Sequence, residues 1–485
     1  MIKQFGFWIG AFFLSLLTTI FLVLNVNLIK EMRLELSDIM VVEEYQEANI
    51  VVDASKVLGY LTPSFKAWAQ GGEEMGVNMF TGTEKAMKEI KPRYVRIDHI
   101  FDDDYYGVVS GQSGNLKFNF EKLDESVDSI LAMGAKPFFS LGYMPSAVAE
   151  NKIAKPNNYN DWYQMTKAII EHYSGKKGIE GVYYEVWNEP DLESFGSWRY
   201  WGKKSYLELY EASGKAAREV RLAGGQTKKF KIGGPAITAL YENWVRALVK
   251  FCETSNLPLD FISWHRYSFY PQLFEKDIYQ IKNWLADYSG EYELIISEWG
   301  PDSEKNVFYA SSLAGAHAVS VIERVVEDWD WGMVFEVKDG PNQGKEGWGA
   351  LYYDKKVKPR YKAFQMLSNM DGSYLKMEGE GSNVRGWAVK EGEEIRIVLV
   401  NYSPELMIEE IVPVKVKGLA SGRYKLTIEN FNGVIRDEEL WIGLEIWEDE
   451  IKIDMGEVIK INLTKTKGES LGIWDYKEDD INLGL

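Results

Sequence analysis

The amino-acid sequence predicts an α/β chain: a (β/α)8 TIM barrel with a C-terminal antiparallel β-sandwich and an N-terminal transmembrane helix. Three observations predict it. Residues 57–371 alternate apolar, β-branched runs with segments of helical periodicity, in the number and order such a barrel needs. After Met370 the helical pattern stops, and residues 372–465 show short alternating runs broken by Gly, Asn and Lys-Glu turns. Residues 5–24 carry no charge and are almost entirely apolar, close to the ~20 residues that cross a bilayer as a helix.

Taken in order, residues 1–30 read as a signal-anchor. No Ala-x-Ala-like site precedes Lys30, so a retained membrane anchor is favoured over a cleaved signal. The body is then expected outside the cytoplasm, tethered if the anchor is kept and secreted if it is cut. Residues 31–49 form an acidic spacer, and 50–56 read as a strand joining the sandwich. Barrel strands are expected near 58–65, 93–100, 136–143, 182–187, 230–235, 260–267, 293–299 and 333–337. Helical periodicity fills the gaps, as over 120–133, 162–172, 206–220, 244–252 and 314–326. A doubly wound open sheet would carry a Gly-rich phosphate loop after its first strand, and Ala69-Gln70-Gly71-Gly72 is a poor one. Residues 466–485 form an acidic tail.

Composition narrows the function. The chain has 55 Lys and Arg against 73 Asp and Glu, a net charge of −18. Nucleic-acid binding, which neutralises phosphates with clustered cations, is not expected. The single Cys252 excludes an internal disulfide, and no His-x-x-His or Cys spacing marks a metal site, so no cofactor is expected. The many Trp, Tyr and Phe suit a carbohydrate cleft, where aromatic faces stack on sugar rings, and equally suit a bulky core.

Two carboxylates carry the chemistry. Glu189 stands in Tyr-Tyr-Glu-Val-Trp-Asn-Glu-Pro-Asp (183–191) and Glu298 in Leu-Ile-Ile-Ser-Glu-Trp-Gly (294–300), each ending an apolar strand run. Carboxylates are costly to bury without a partner or a task, and barrel strands end at the active face. Glycosidic bond cleavage needs such a pair, one to protonate the leaving oxygen and one to attack the anomeric carbon or activate water. Glu189 is expected as the proton donor, its pKa raised by a like-charged neighbour and partial burial, and Glu298 as an ionised nucleophile helped by Tyr267 or Arg96. Double displacement expects the two carboxyl groups ~5–5.5 Å apart.

The other strand ends supply the surroundings. Asn188 is placed to bond a sugar hydroxyl beside the reacting carbon. Asp98, His99 and His265 join the rim, and Trp299 or Trp348 could give the sugar an apolar floor. Arg96 reads equally as a cation that neutralises buried carboxylates, and His265 also as a satisfied strand-end histidine. Asp102, Asp103 and Asp104 read as a solvated loop rather than a cation site.

Six segments together carry a family resemblance: Tyr-Val-Arg-Ile (94–97), Lys-Pro-Phe-Phe-Ser-Leu-Gly-Tyr-Met-Pro (136–145), Glu-Val-Trp-Asn-Glu-Pro-Asp-Leu (185–192), Ile-Gly-Gly-Pro-Ala (232–236), Asp-Phe-Ile-Ser-Trp-His-Arg-Tyr (260–267) and Ser-Glu-Trp-Gly (297–300). Over residues 50–465 the chain resembles glycoside hydrolase family 39, of the clan of retaining (β/α)8 glycosidases. That family includes β-xylosidases, α-iduronidases and bacterial exopolysaccharide hydrolases. The resemblance implies Glu189 as acid/base and Glu298 as nucleophile. Xylosidase-like members carry His two residues after the strand-two Arg, where this chain has Asp98, with His99 one step later. Successive strand residues face opposite ways, so without a bulge His99 is not expected to take that place. Asp191 stands where those members have Asn.

The expected activity is hydrolysis of O-glycosidic bonds in an oligo- or polysaccharide. A catalytically inactive carbohydrate-binding barrel and a transglycosylase are the alternatives.

Overall fold

The computed structural model describes residues 45–466 apart from Met407. The expected transmembrane segment, nearly all of the acidic spacer and nearly all of the tail lie outside these residues. Among the described residues no helix is long and apolar enough to cross a membrane.

Eight parallel strands close into a barrel in sequential order. They are β1 (Ala67–Gln70), β2 (Tyr94–Ile97), β3 (Lys136–Leu141), β4 (Val182–Val186), β5 (Phe230–Ile237), β6 (Phe261–Tyr267), β7 (Glu293–Gly300) and β8 (Trp331–Phe335). A helix follows each: α1 (Glu84–Glu89), α2 (Glu121–Ala132), α3 (Tyr159–Ile170), α4 (Tyr206–Ala223), α5 (Glu242–Ser255), α6 (Gln272–Leu285), α7 (Ser312–Val325) and α8 (Pro359–Leu367). Alternation divides the strand side chains between two apolar layers. Ala67, Ala69, Phe138, Tyr183, Phe261, Ile295 and Met333 fill the barrel interior, while their neighbours face the helices.

The first barrel strand is not where the sequence pattern puts it. Residues 58–61 belong to a long strand, Ile50–Leu61, that pairs antiparallel with Gly372–Glu378 and parallel with Glu410–Lys417. The true β1 is the short Ala-Trp-Ala-Gln, fully buried on both faces. Its alternating alanines suit a crowded interior, and they leave little hydrophobic signal to read.

Nine strands, Ile50–Leu61 and eight from Gly372 to Lys465, form one ladder whose inward side chains meet in a second apolar cluster. Two of them, Val384–Glu391 and Glu394–Asn401, are buried on both faces because their outer face packs on the barrel. Trp387, Val398 and Val400 join the barrel's apolar cluster there, and Arg385 forks onto Glu323 of α7 at 2.7 and 3.0 Å.

Candidate active site

At the C-terminal ends of the strands, three breaks in regular β-geometry bring adjacent residues to one cleft. On β7 the register slips between Ile296 and Glu298, a bulge against both neighbouring strands. Plain alternation from the inward Ile295 would send Glu298 out toward the helices; the bulge turns it inward. After β4, Trp187 and Glu189 take left-handed backbone angles, φ +72° and +44°, so Asn188 and Glu189 both reach the cleft. After β2, His99 has φ +56°, and it lines the cleft beside Asp98. Left-handed backbone in non-glycine residues costs about 1–3 kcal/mol each, and such strain gathers where function fixes geometry.

Arg96 sits at the base. Its guanidinium donates from Nε to Glu185 at 2.7 Å, from Nη1 to Glu298 at 2.6 Å and from Nη2 to the Asn188 Oδ1 at 2.7 Å. Burial opposes its charge, but the carboxylates of Glu185, Glu298 and Asp98 outweigh burial and hold it firmly protonated. Asn188 passes the chain on, its Nδ2 donating to the Tyr143 hydroxyl at 3.1 Å.

Above Arg96 lie the two glutamates and His265. Tyr267 donates its hydroxyl to Glu298 Oε2 at 3.0 Å. His265, fully buried and in register with Glu298 across β6 and β7, places Nδ1 2.9 Å from Glu189 Oε1 and 3.6 Å from Glu298 Oε2. One carboxylate oxygen of each glutamate and a ring nitrogen of His265 all lie within 4.8 Å of one another. Burial pushes the Glu298 carboxyl above its ordinary value; His265 and Arg96 pull it back, and Glu189 and Asp98 push it up again. Burial works against the His265 cation, but Glu298 and Glu189 prevail and raise its pKa.

The cleft holds about 700 Å³ and is lined by Asp98, His99, Asn188, Glu189, Tyr267 and Glu298, with Phe335 and Trp348 as an apolar wall. Trp348 meets Phe335 edge-on, with ring centres 5.7 Å apart. Trp299 is elsewhere. It follows the inward Glu298 and so points out, where its ring is buried among Phe274, Trp329 and His317. Of the two expected floors, only Trp348 reaches the cleft.

His99 is fixed by Asp102, which accepts from Nδ1 at 3.0 Å, and by stacking on Tyr105 at 4.0 Å. Asp102 is therefore buried rather than solvated, whereas Asp103 and Asp104 are exposed as expected of a surface loop. Gly71 and Gly72 serve this wall: a Cβ on Gly72 would come within 2.5 Å of the His99 ring, and one on Gly71 within 2.9 Å of Phe335. Asp191 accepts from the Thr238 backbone and hydroxyl at 3.1 and 2.5 Å, tying the loop after β4 to the end of β5. Glu336 and Asp339, at the end of β8, serve the frame: Glu336 takes hydrogen bonds from Gln70 and Gly71, and Asp339 pairs with Lys358.

Sequence reasoning missed Glu185, which is fully buried and, among the described residues, keeps one oxygen without a hydrogen bond. Its signal was present, a carboxylate inside the apolar run Val-Tyr-Tyr-Glu-Val. It also missed Glu73 on the cleft wall, since the strand before it went unread.

The model of glycosyl hydrolases family 39 matches residues 78–409, well over half of the chain. The chain belongs to this family. It is therefore a glycoside hydrolase. Among its relatives, a β-xylosidase from Caldicellulosiruptor saccharolyticus is 26% identical over 446 residues, covering 83% of this chain and 88% of that protein. A β-xylosidase from Geobacillus stearothermophilus is 28% identical over 333 residues, 59% of this chain and 64% of that protein. Among solved structures, a monomeric β-xylosidase from Caulobacter crescentus CB15 shares the fold with a TM-score of 0.75 at 19% identity, covering 86% of this chain and 99% of that one.

Proposed function

We propose that this family-39 hydrolase cleaves O-glycosidic bonds of an oligo- or polysaccharide by double displacement, with Glu189 as acid/base and Glu298 as nucleophile. The observation that carries the reading is the separation of the pair. One carboxylate oxygen of each glutamate lies within 4.8 Å of the other, a close approach that suits the ~5–5.5 Å of retaining enzymes better than the ~6.5–9.5 Å with which inverting enzymes seat a water.

In the first step a Glu298 oxygen attacks the anomeric carbon while Glu189 gives its proton to the departing glycosidic oxygen, leaving a glycosyl ester on Glu298. In the second step Glu189 takes a proton from water, the water oxygen attacks the same carbon, and Glu298 leaves as carboxylate. Arg96 and Tyr267 hold the Glu298 carboxylate in one orientation and stabilise its charge before attack and after release. His265 orients Glu189 through Nδ1. Asn188, Asp98 and His99, which line the cleft, would bond sugar hydroxyls, and Trp348 would carry an apolar ring face.

The names of the relatives support a β-xyloside-like substrate, while Asp98, standing in place of the expected His, makes the sugar pocket of this chain its own. The reading includes a body outside the cytoplasm, held by the apolar stretch at residues 5–24. Aryl glycosides and natural polysaccharides, assayed side by side with Glu298→Ala and Glu189→Ala, test the activity. Loss of turnover in Glu298→Ala supports the assignment; undiminished hydrolysis in that variant overturns it.

A further inference from the structure

At the end of the barrel opposite the catalytic cleft, a groove of about 750 Å³ opens between the N-terminal ends of β1–β3 and the sandwich. Residues 91–93 and 133–134, just ahead of β2 and β3, form one wall; residues 368–373 and the turn at 390–392 form the other. Six cations line it against two carboxylates, in a chain whose net charge is −18. Both carboxylates are already matched, Asp371 by Lys66 and Glu391 by Arg396. Lys88, Lys91, Arg93 and Lys390 have no ion pair among the described residues. Burial lowers the Lys66 ammonium, Asp371 raises it, and the nearby charges of Lys91 and Arg93 lower it again. Converging like charges cost folding free energy, and an anion in the groove would relieve that cost. The Tyr60 ring, 70% exposed, lies on the same groove.

We propose that this groove binds a stretch of acidic polysaccharide, its carboxylates meeting Lys88, Lys91, Arg93 and Lys390 while a sugar ring stacks on Tyr60. The aromatic face separates a glycan from a bare anion, which gains nothing from an apolar surface. The acidic bulk of the chain disfavours duplex DNA, which carries a charge every ~1.7 Å. The groove goes beyond the hydrolytic site and shares no residue with it, so it would hold a charged chain at a distance from the bond being cut.

Affinity electrophoresis of the full chain in gels containing polygalacturonate, neutral xylan or duplex DNA tests this, with co-sedimentation on phosphatidylserine vesicles alongside. The expected result is retardation by polygalacturonate and not by xylan, DNA or vesicles. A triple variant, Lys88→Gln, Lys91→Gln and Lys390→Gln, and separately Tyr60→Ala, should each bind polygalacturonate roughly tenfold more weakly. Hydrolysis of an aryl glycoside should be unchanged in both. No retardation by polygalacturonate, stronger binding to DNA or vesicles, or retention unaltered in either variant would overturn the proposal. Failure of the chain to hydrolyse any glycoside would count against the catalytic reading and leave the binding result standing by itself.

Discussion

Arg96 and Glu298 are joined by a 2.6 Å ion pair at the floor of the cleft, and the same guanidinium holds Glu185 beneath. Glu185 has no solvent exposure and, among the described residues, no hydrogen-bond partner besides Arg96, which is therefore its compensation there. Arg96→Met should therefore lower unfolding free energy by about 3–5 kcal/mol, as expected when one partner of a buried ion pair is removed. Denaturant unfolding checks this. Adding Glu185→Leu to the same chain should recover much of the loss, because the stranded carboxylate goes with it.

The acid limb of the pH–activity profile should report Glu298. Its carboxyl lies above the ordinary 4.5 of a glutamate, and it must be ionised to attack. kcat/KM should accordingly begin to fall, on lowering the pH, above 4.5 rather than below it. A limb lying wholly below 4.5 would contradict the burial argument.

Stability carries the same sign. The fold binds the Glu298 proton more tightly than the unfolded chain does, so this group favours folding below 4.5 and loses that contribution as pH rises through the folded value. Glu298→Gln, which mimics the protonated form, should raise Tm at neutral pH, and the gain should shrink in acid. Thermal melts at several pH values read it.

Trp299 and Trp348 should separate stability from substrate binding. Trp299→Ala empties a fully buried site among helices and should cost about 3–5 kcal/mol of stability. Trp348→Ala should leave Tm nearly unchanged and lower kcat/KM roughly fivefold, for about 1 kcal/mol of ring contact. Kinetics and melting of both variants decide it.

Glu189, His265 and Glu298 bring three donor atoms within 4.8 Å, a spacing a metal ion could also use. Double displacement needs none. Dialysis against a chelator should leave kcat unchanged, and a loss restored by added zinc would contradict the mechanism.

Much of this was legible because the pattern and the chemistry agreed. Seven barrel strands announce themselves as apolar runs, and Glu189 and Glu298 stand out as charges at their ends. The Ala-Trp-Ala-Gln strand does not, because small inward residues weaken the hydrophobic signal. The backbone breaks were invisible too. Alternation alone cannot tell that a bulge turns Glu298 inward and leaves Trp299 outside, nor that His99 leaves the strand in a left-handed conformation and shares the cleft with Asp98. Those breaks arise from contacts between strands, which no local window contains.

The most direct test of the central claim is the anomeric configuration of the first sugar released, followed by proton NMR as an aryl glycoside is hydrolysed. With Glu298 as nucleophile and Glu189 as acid/base, the first-formed product should keep the configuration of the substrate. A first-formed product of inverted configuration would contradict the account.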